Sequence, residues 1–370
     1  MMTATDNSSG DRLLALFQRE GYALIEPPVL QPAELFLDLS GEDMRRRMFV
    51  TTDAAGVEMC LRPEYTIPVC RKHLELSGTG SATYCYRGPV FRLRTGESGE
   101  FQQAGIESIG RTDIAATDAE VLALAMEGLD ALGLGDVGVR LGDVGLLEAI
   151  IDALMIPGAA KSRLIRAIVS GHGLGALSEQ PATEQDQEHA GLLAAIEGQD
   201  PQAARAFVED VLSIAGISTV GGRSAGDIAE RFLARAAQRT NGITEEAREL
   251  LRRYLAIEGD PDEAGARIRD LAEEAGIDIG PALALYEERA GFIAARGIDV
   301  GKLSFSAAFA RNLDYYTGFI FEISARGATG KPLVGGGRYD RLLQHLDPAV
   351  SLPAIGCSVW LDRIEAGARI

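Results

Sequence analysis

Between residues 11 and 22 the apolar side chains of Leu13, Leu14, Leu16 and Phe17 recur among charged and amide residues, and Gly21 follows. This pattern predicts an amphipathic helix closed by a glycine. The stretch ALIEPPVL comes next, and its Pro27–Pro28 pair excludes helix and predicts an extended segment. From Phe49 to Gly110 the pattern turns to short strands at MFVTTD, EMCLRPE, SATYCYRGPVFRLR and EFQQAGIESIG. Between the second and third, YTIPVCRKHLEL predicts a helix with Pro68 near its first turn. Residues 117–132 read as a helix, DVGVRLGD as a strand and LLEAIIDAL as another helix. From about residue 156 the chain becomes rich in Ala, Glu and Arg, with helical periodicity in EHAGLLAAI, AARAFVEDVL, AGDIAERFLARAA and EEARELLRRYLAI. Strands return at SFSAAFARNLDYYTGFIFEISA, GGGRYDRLL and AIGCSVWLDRI. The order predicts an α+β fold whose antiparallel sheet, flanked by helices, is split in sequence: a first part over 1–155, a mostly helical insertion over 156–300, and a second part over 301–370.

Composition narrows the function classes. With 46% hydrophobic and 24% charged residues in 370, the chain is long enough for a sizeable core and too apolar for general disorder. Its formal charge of −18 opposes a phosphate backbone, which needs a basic face, so nucleic acid is not expected as a partner. Cys60, Cys70, Cys85 and Cys357 form no CxxC pair, and the four histidines are scattered. Free thiols in a reducing compartment are expected, with no metal site. The polar N-terminus predicts no signal peptide. No run approaches the roughly 20 apolar residues of a membrane span, so a cytoplasmic protein without membrane contact is expected.

Four constellations could carry chemistry. In LRPEYT, Glu64 and Thr66 lie two apart, which on a strand puts both on one side, where they could hold an ammonium group; a surface glutamate at a strand end gives the same pattern. In YCYRGPVFRLR, Arg87, Arg92 and Arg94 alternate with apolar residues, and a buried arginine on a sheet is a fork for carboxylate or phosphate. In FQQAGIE, Gln103 and Glu107 share a face around Gly105, suited to an imidazole N–H, although an exposed amphipathic strand would alternate likewise. ARNLDYYTGFIFEI joins Arg311 and Asp314 to Tyr315 and Tyr316, whose rings and hydroxyls could frame a ligand or lie half in the core. GGGRYD lacks both a dinucleotide-loop context and a P-loop lysine, and reads as close backbone approach, between strands or to a ligand.

In this order, GYALIEPPVL, LRPEYT, YRGPVFR with FQQAGIE, RNLDYYTGFIFE, GGGRYD and AIGCSVWLDR resemble the class II aminoacyl-tRNA synthetase core, and within it the histidyl-tRNA synthetase branch. The resemblance runs from about residue 20 to 363, with the insertion its least recognisable part. It implies a histidine pocket of Glu64, Thr66, Arg92, Gln103, Glu107, Arg311, Tyr315 and Tyr316, and a homodimer formed around GYALIEPPVLQP.

Three departures from a synthetase stand beside that intact pocket. The sequence ends seven residues after Arg363, so the anticodon-binding domain is expected to be missing. Where the family runs Phe-Arg-x-Glu into a basic loop, this chain has Phe91-Arg92-Leu93-Arg94 and then TGESGE, which sets Glu97 and Glu100 where ATP phosphates would need cations. Trp360 takes the place of a glycine that leaves room for adenine. The combination resembles the regulatory subunits of ATP phosphoribosyltransferase, non-catalytic paralogues that join a short catalytic subunit in the first step of histidine biosynthesis and mediate feedback inhibition by histidine, with no cofactor of their own. An alternative is a synthetase-like enzyme that adenylates histidine or a related amino acid for a non-tRNA acceptor. Arg311 keeps it open, since it matches an arginine used in amino-acid activation, yet a guanidinium equally binds a carboxylate. A weaker third reading, a sensor fragment for uncharged tRNA, meets the objection of the charge.

Overall fold

The computed structural model describes residues 8–39, 46–76, 79–156, 158–169, 219–220, 223–224, 243–311, 315–326 and 331–367. In chain order the elements are α1 (Ser9–Arg19), β1 (Ala23–Leu24), β2 (Leu30–Pro32), α2 (Glu34–Leu39), β3 (Val50–Thr52), β4 (Glu58–Leu61), α3 (Thr66–Leu76), β5 (Ala82–Phe91), β6 (Glu100–Ile109), α4 (Ile114–Ala131), β7 (Val137–Asp143), α5 (Val144–Ala153) and α6 (Gly158–Val169). There follow β8 (Thr219–Val220), β9 (Arg223–Ser224), α7 (Glu245–Leu255), β10 (Glu258–Gly259), α8 (Pro261–Ala275), α9 (Gly280–Ala295), β11 (Leu303–Ser306), β12 (Phe319–Ala325), β13 (Val334–Arg338), α10 (Leu342–Leu346), β14 (Ala354–Trp360) and α11 (Leu361–Gly367). The expected helices at EHAGLLAAI, AARAFVEDVL and AGDIAERFLARAA lie outside the described residues, as does Asp314.

Nine strands form the main sheet in the order β1-β5-β6-β14-β13-β12-β7-β11-β10. Its centre is antiparallel, as expected, while β1 on β5 and β11 on β7 run parallel. β13 and β14, late in the sequence, lie between β6 and β12 in the middle of the sheet. A smaller sheet, β2-β4-β3, packs beside it.

Alternation along the strands sends side chains to two cores. Cys85, Ile106 and Val359 point to one face, where α1, α4 and α5 cover them. Their neighbours Tyr84, Tyr86 and Trp360 point to the other, against residues of α3 and α10. α1 begins at Ser8, whose hydroxyl accepts from the Asp11 N–H at 3.3 Å, and buries Leu13, Leu16 and Phe17. It stops before Gly21, whose φ of +90° costs a residue without Cβ little. Of the stretch 156–300, α7, α8 and α9 place Leu250, Leu251, Tyr254, Ile268 and Ile293 in the first core.

α9 is also tied in by charge. Arg289 donates to Asp118 of α4 at 2.8 Å and to Asp143 at the end of β7 at 2.7 Å, and Arg338 of β13 pairs with Asp118 at 2.6 Å. All four residues are buried. A buried charge is tolerated only when paired in this way. All four cysteines are buried and free. No described helix is long and apolar enough to cross a membrane.

Candidate amino-acid site

The second face of the sheet opens into a cavity of about 340 Å³. Its floor is set by cross-strand register: Gln103 of β6 lies opposite Trp360 of β14, Gly105 opposite Ser358, and Glu107 opposite Gly356. On the other side of β14, Gly335 faces Ser358 and Gly337 faces Gly356. The glycines keep this floor thin. A Cβ on Gly335 would run into the Arg311 guanidinium, and one on Gly356 into the Glu107 carboxylate. The glycines of GGGRYD therefore lie in β13, at the sheet's centre, and let side chains lie flat across it.

Seven of the eight residues expected in the pocket line this cavity: Glu64, Thr66, Arg92, Gln103, Arg311, Tyr315 and Tyr316. The eighth, Glu107, lies one layer beneath, wholly buried. Its carboxylate accepts from the Thr66 hydroxyl at 2.8 Å, from the Tyr86 hydroxyl at 3.4 Å and from the Tyr339 hydroxyl. Burial dominates over these three donors and pushes Glu107 up to about 8.

LRPEYT differs from the expected strand. β4 ends at Leu61, and Thr66 opens α3. Glu64 sits just before that helix, and its carboxylate accepts from the backbone N–H groups of Thr66 at 2.6 Å and Ile67 at 2.9 Å. A helix start leaves such donors open and favours negative charge. A carboxylate with a hydroxyl two residues on suits a cap as well as a strand, and the cap wins here. Burial still raises the Glu64 carboxyl, against those N–H groups and Arg92.

The arginines divide. Arg92, just past β5, lines the cavity and donates its Nε to the Pro63 carbonyl at 2.7 Å. Burial lowers its guanidinium. Arg94 instead lies over the Phe101 ring at 4.0 Å and pairs with Glu97 at 2.9 Å, while Arg87 points away to Asp11. Arg311 pairs with Glu322 at 2.7 Å. Tyr315 and Tyr316 lie with ring centroids 5.0 Å apart, and burial holds both phenols protonated as donors.

Sequence reasoning missed several lining residues. Tyr339 follows Gly335 and Gly337 at strand spacing, so a period of two through GGGRYD would have placed it on the same face. Glu322 is a lone carboxylate in the apolar run FIFEIS, which is itself a signal. Arg47 and Arg363 also line the cavity, and Arg363 sits 4.2 Å over the Trp360 ring. Burial and the neighbouring Arg92 and Arg94 lower Arg363 to about 10.

A mixed sheet with helices on both faces and an amino-acid-sized cavity at its centre has the class II aminoacyl-tRNA synthetase architecture. The family model described as histidyl-tRNA synthetase matches residues 4–219 and 224–364. A histidyl-tRNA synthetase from Nostoc sp. PCC 7120 superposes with a TM-score of 0.64 at 17% identity, covering 99% of this chain and 75% of that one. A Bacillus halodurans structure described as an ATP phosphoribosyltransferase regulatory subunit/histidyl-tRNA synthetase gives 0.67 at 22%, covering 96% and 77%. At these identities the likeness speaks to fold alone. Closer in sequence, the chain is 40% identical over 360 residues to the ATP phosphoribosyltransferase regulatory subunit of Agrobacterium fabrum (strain C58), covering 96% of this chain and 95% of that one. It is 41% identical over 365 residues to the protein of the same name from Rhizobium meliloti (strain 1021), again covering 96% and 95%. The chain belongs to the histidyl-tRNA synthetase family, within its branch of ATP phosphoribosyltransferase regulatory subunits.

Proposed function

We propose that this chain is the non-catalytic regulatory subunit of an ATP phosphoribosyltransferase, that it assembles with a short catalytic subunit for the first step of histidine biosynthesis, and that it confers feedback inhibition by L-histidine. The observation that carries the reading is the cavity itself: seven residues expected to hold histidine converge on it, in a chain whose relatives bear the regulatory name. In this reading Glu64 and Thr66 take the α-ammonium, and Arg311 or Arg92 takes the carboxylate. Tyr316 faces the imidazole, backed by the Glu107 carboxylate through Thr66 and Tyr339. The subunit is a homodimer within a hetero-oligomer, in the cytoplasm, and binds neither nucleic acid nor membrane. The charge of −18 supports the exclusion of nucleic acid.

Trp360 and its stacked Arg363 support the absence of adenylation, because an indole fills space that a nucleotide base would need. The second reading, a synthetase-like enzyme that adenylates histidine or a related amino acid, draws on Arg311, which lies in the cavity wall. Reconstitution decides between them. Mixed with a short-form catalytic subunit, the chain should co-purify with it, and L-histidine should inhibit the complex. A catalytic subunit that neither binds the chain nor becomes histidine-sensitive in its presence would remove the regulatory reading.

A further inference from the structure

Two buried polar atoms in the cavity wall, on residues paired at one ladder position, make no hydrogen bond among the described residues. Trp360 is 6% exposed and its indole Nε1 has no acceptor. Gln103, 1% exposed and paired with Trp360 in the β6–β14 register, has an Oε1 with no donor. A third such atom, the Nε of Arg311, belongs to a guanidinium 5.8 Å from the Trp360 ring. Buried indole N–H groups normally find partners, and leaving one unmade is costly, so an orphan that lines a cavity needs an explanation.

The surroundings say which ligand group fits. The indole is held in place: Arg363 lies 4.2 Å over its ring and donates onward to the Pro332 carbonyl. Arg92 is likewise held by a carbonyl, that of Pro63, at 2.7 Å. This wall therefore offers two unused donors, Trp360 Nε1 and the Nε of Arg311, whose Nη1 pairs with Glu322, beside the Arg92 and Arg363 guanidiniums, which hydrogen-bond uncharged carbonyl oxygens. A ligand oxygen carrying negative charge satisfies them. Across the ladder, the Gln103 acceptor suits the ammonium of the same molecule.

We propose that Trp360 is a specificity-determining ligand contact, whose indole N–H, together with Arg311, binds the free carboxylate of the amino-acid effector. The residue that blocks a nucleotide base thus also holds the carboxylate that a synthetase would activate, and selects an intact α-amino acid over its carboxylate-free analogues. This inference rests on the cavity being a histidine site.

The test compares L-histidine with L-histidinol, in which an alcohol replaces the carboxylate, by calorimetry on wild type and Trp360→Phe. Phenylalanine keeps a ring for Arg363 and removes the donor along with part of the indole's bulk, a loss that both ligands share and that the comparison with histidinol subtracts. Loss of one charge-assisted hydrogen bond should weaken L-histidine by about tenfold or more. Histidinol affinity should stay within about twofold by the same reasoning, since it makes no such bond. Unchanged histidine affinity, or equal losses for both ligands, overturns the role of Trp360 while leaving the histidine site standing. No histidine binding to wild type removes both. Trp360 is the single tryptophan of the chain, so its emission reports on this wall alone. Should the variant not fold, wild-type emission decides: L-histidine should shift it and L-histidinol should not, and any other result overturns the contact.

Discussion

The Thr66 hydroxyl, on the cavity wall, donates at 2.8 Å to the buried carboxylate of Glu107, which the Tyr339 hydroxyl, just past β13, also binds. Two side chains that line the cavity are thereby set by one that lies behind them. Leaving buried hydrogen-bond partners unsatisfied costs about 1–3 kcal/mol, so Glu107→Ala, which strips Thr66 and Tyr339 of theirs, should weaken L-histidine by roughly ten- to a hundredfold. Calorimetric titration of both proteins measures this. Equal affinity would make the pocket a structural relic and place the regulatory histidine elsewhere.

Glu107 also makes stability depend on pH. Its carboxyl is held up at about 8 by burial, against 4.5 for the free group. Between those values the folded chain binds the proton and the unfolded chain releases it. The contribution is therefore full below about 4.5 and is lost as pH rises through about 8. At about 1.4 kcal/mol for each pH unit of that window, the loss amounts to several kcal/mol. Glu64, raised in the same direction, adds the same sign, so the variant difference isolates Glu107. Urea unfolding from pH 5 to 9 should show wild-type stability falling more steeply than that of Glu107→Gln. Parallel curves would mean that Glu107 is ionised throughout.

The sheet was legible because its long strands carry the alternation that a half-buried strand must have. β5 and β6 were readable at Ala82–Phe91 and Glu100–Ile109 from YCYRGPVF and FQQAGIESI alone. Glu64 and Thr66 were legible as a pair and illegible as a cap, since a spacing of two satisfies both geometries. The place of Glu107 behind the wall was not readable, because its partners Thr66 and Tyr339 come from distant elements that only the sheet order brings together.

The ionic cluster of Asp118 with Arg289 and Arg338 joins α9 to the sheet. Asp118→Ala would leave Arg289 with Asp143 and Arg338 with Asp340, each a buried guanidinium short of one carboxylate. Removing one partner of a buried pair costs about 3–5 kcal/mol, and the urea midpoint should drop accordingly. A midpoint within error of wild type would show that the cluster does not hold α9.

The proposed homodimer has a candidate surface. Leu24, Val29, Leu30 and Val50 are exposed on β1, β2, β3 and the turn between them, where Arg62 holds the Pro27 carbonyl at 2.7 Å. Large apolar side chains exposed on edge strands mark a candidate interaction surface. Light scattering at micromolar concentration should give a dimer, and Leu30→Glu should shift it toward monomer. A wild-type monomer would count against the dimer altogether.

Amino-acid activation requires ATP to lie beside the bound carboxylate, and in the proposed non-catalytic reading both the base and the phosphates meet obstacles. Trp360, pinned under Arg363 at 4.2 Å, lines the cavity at the position where the resemblance to synthetases implies room for a base. Glu97 pairs with Arg94 at 2.9 Å and with Lys331, so cations at the cavity's edge are already neutralised by a carboxylate from the loop that should grip phosphates. Histidine-dependent exchange of pyrophosphate into ATP should therefore be absent. Trp360→Gly alone should not create it, because the acidic loop remains. Robust exchange by the wild type would overturn the non-catalytic reading and promote the adenylating enzyme, with Arg311 as the residue to test next.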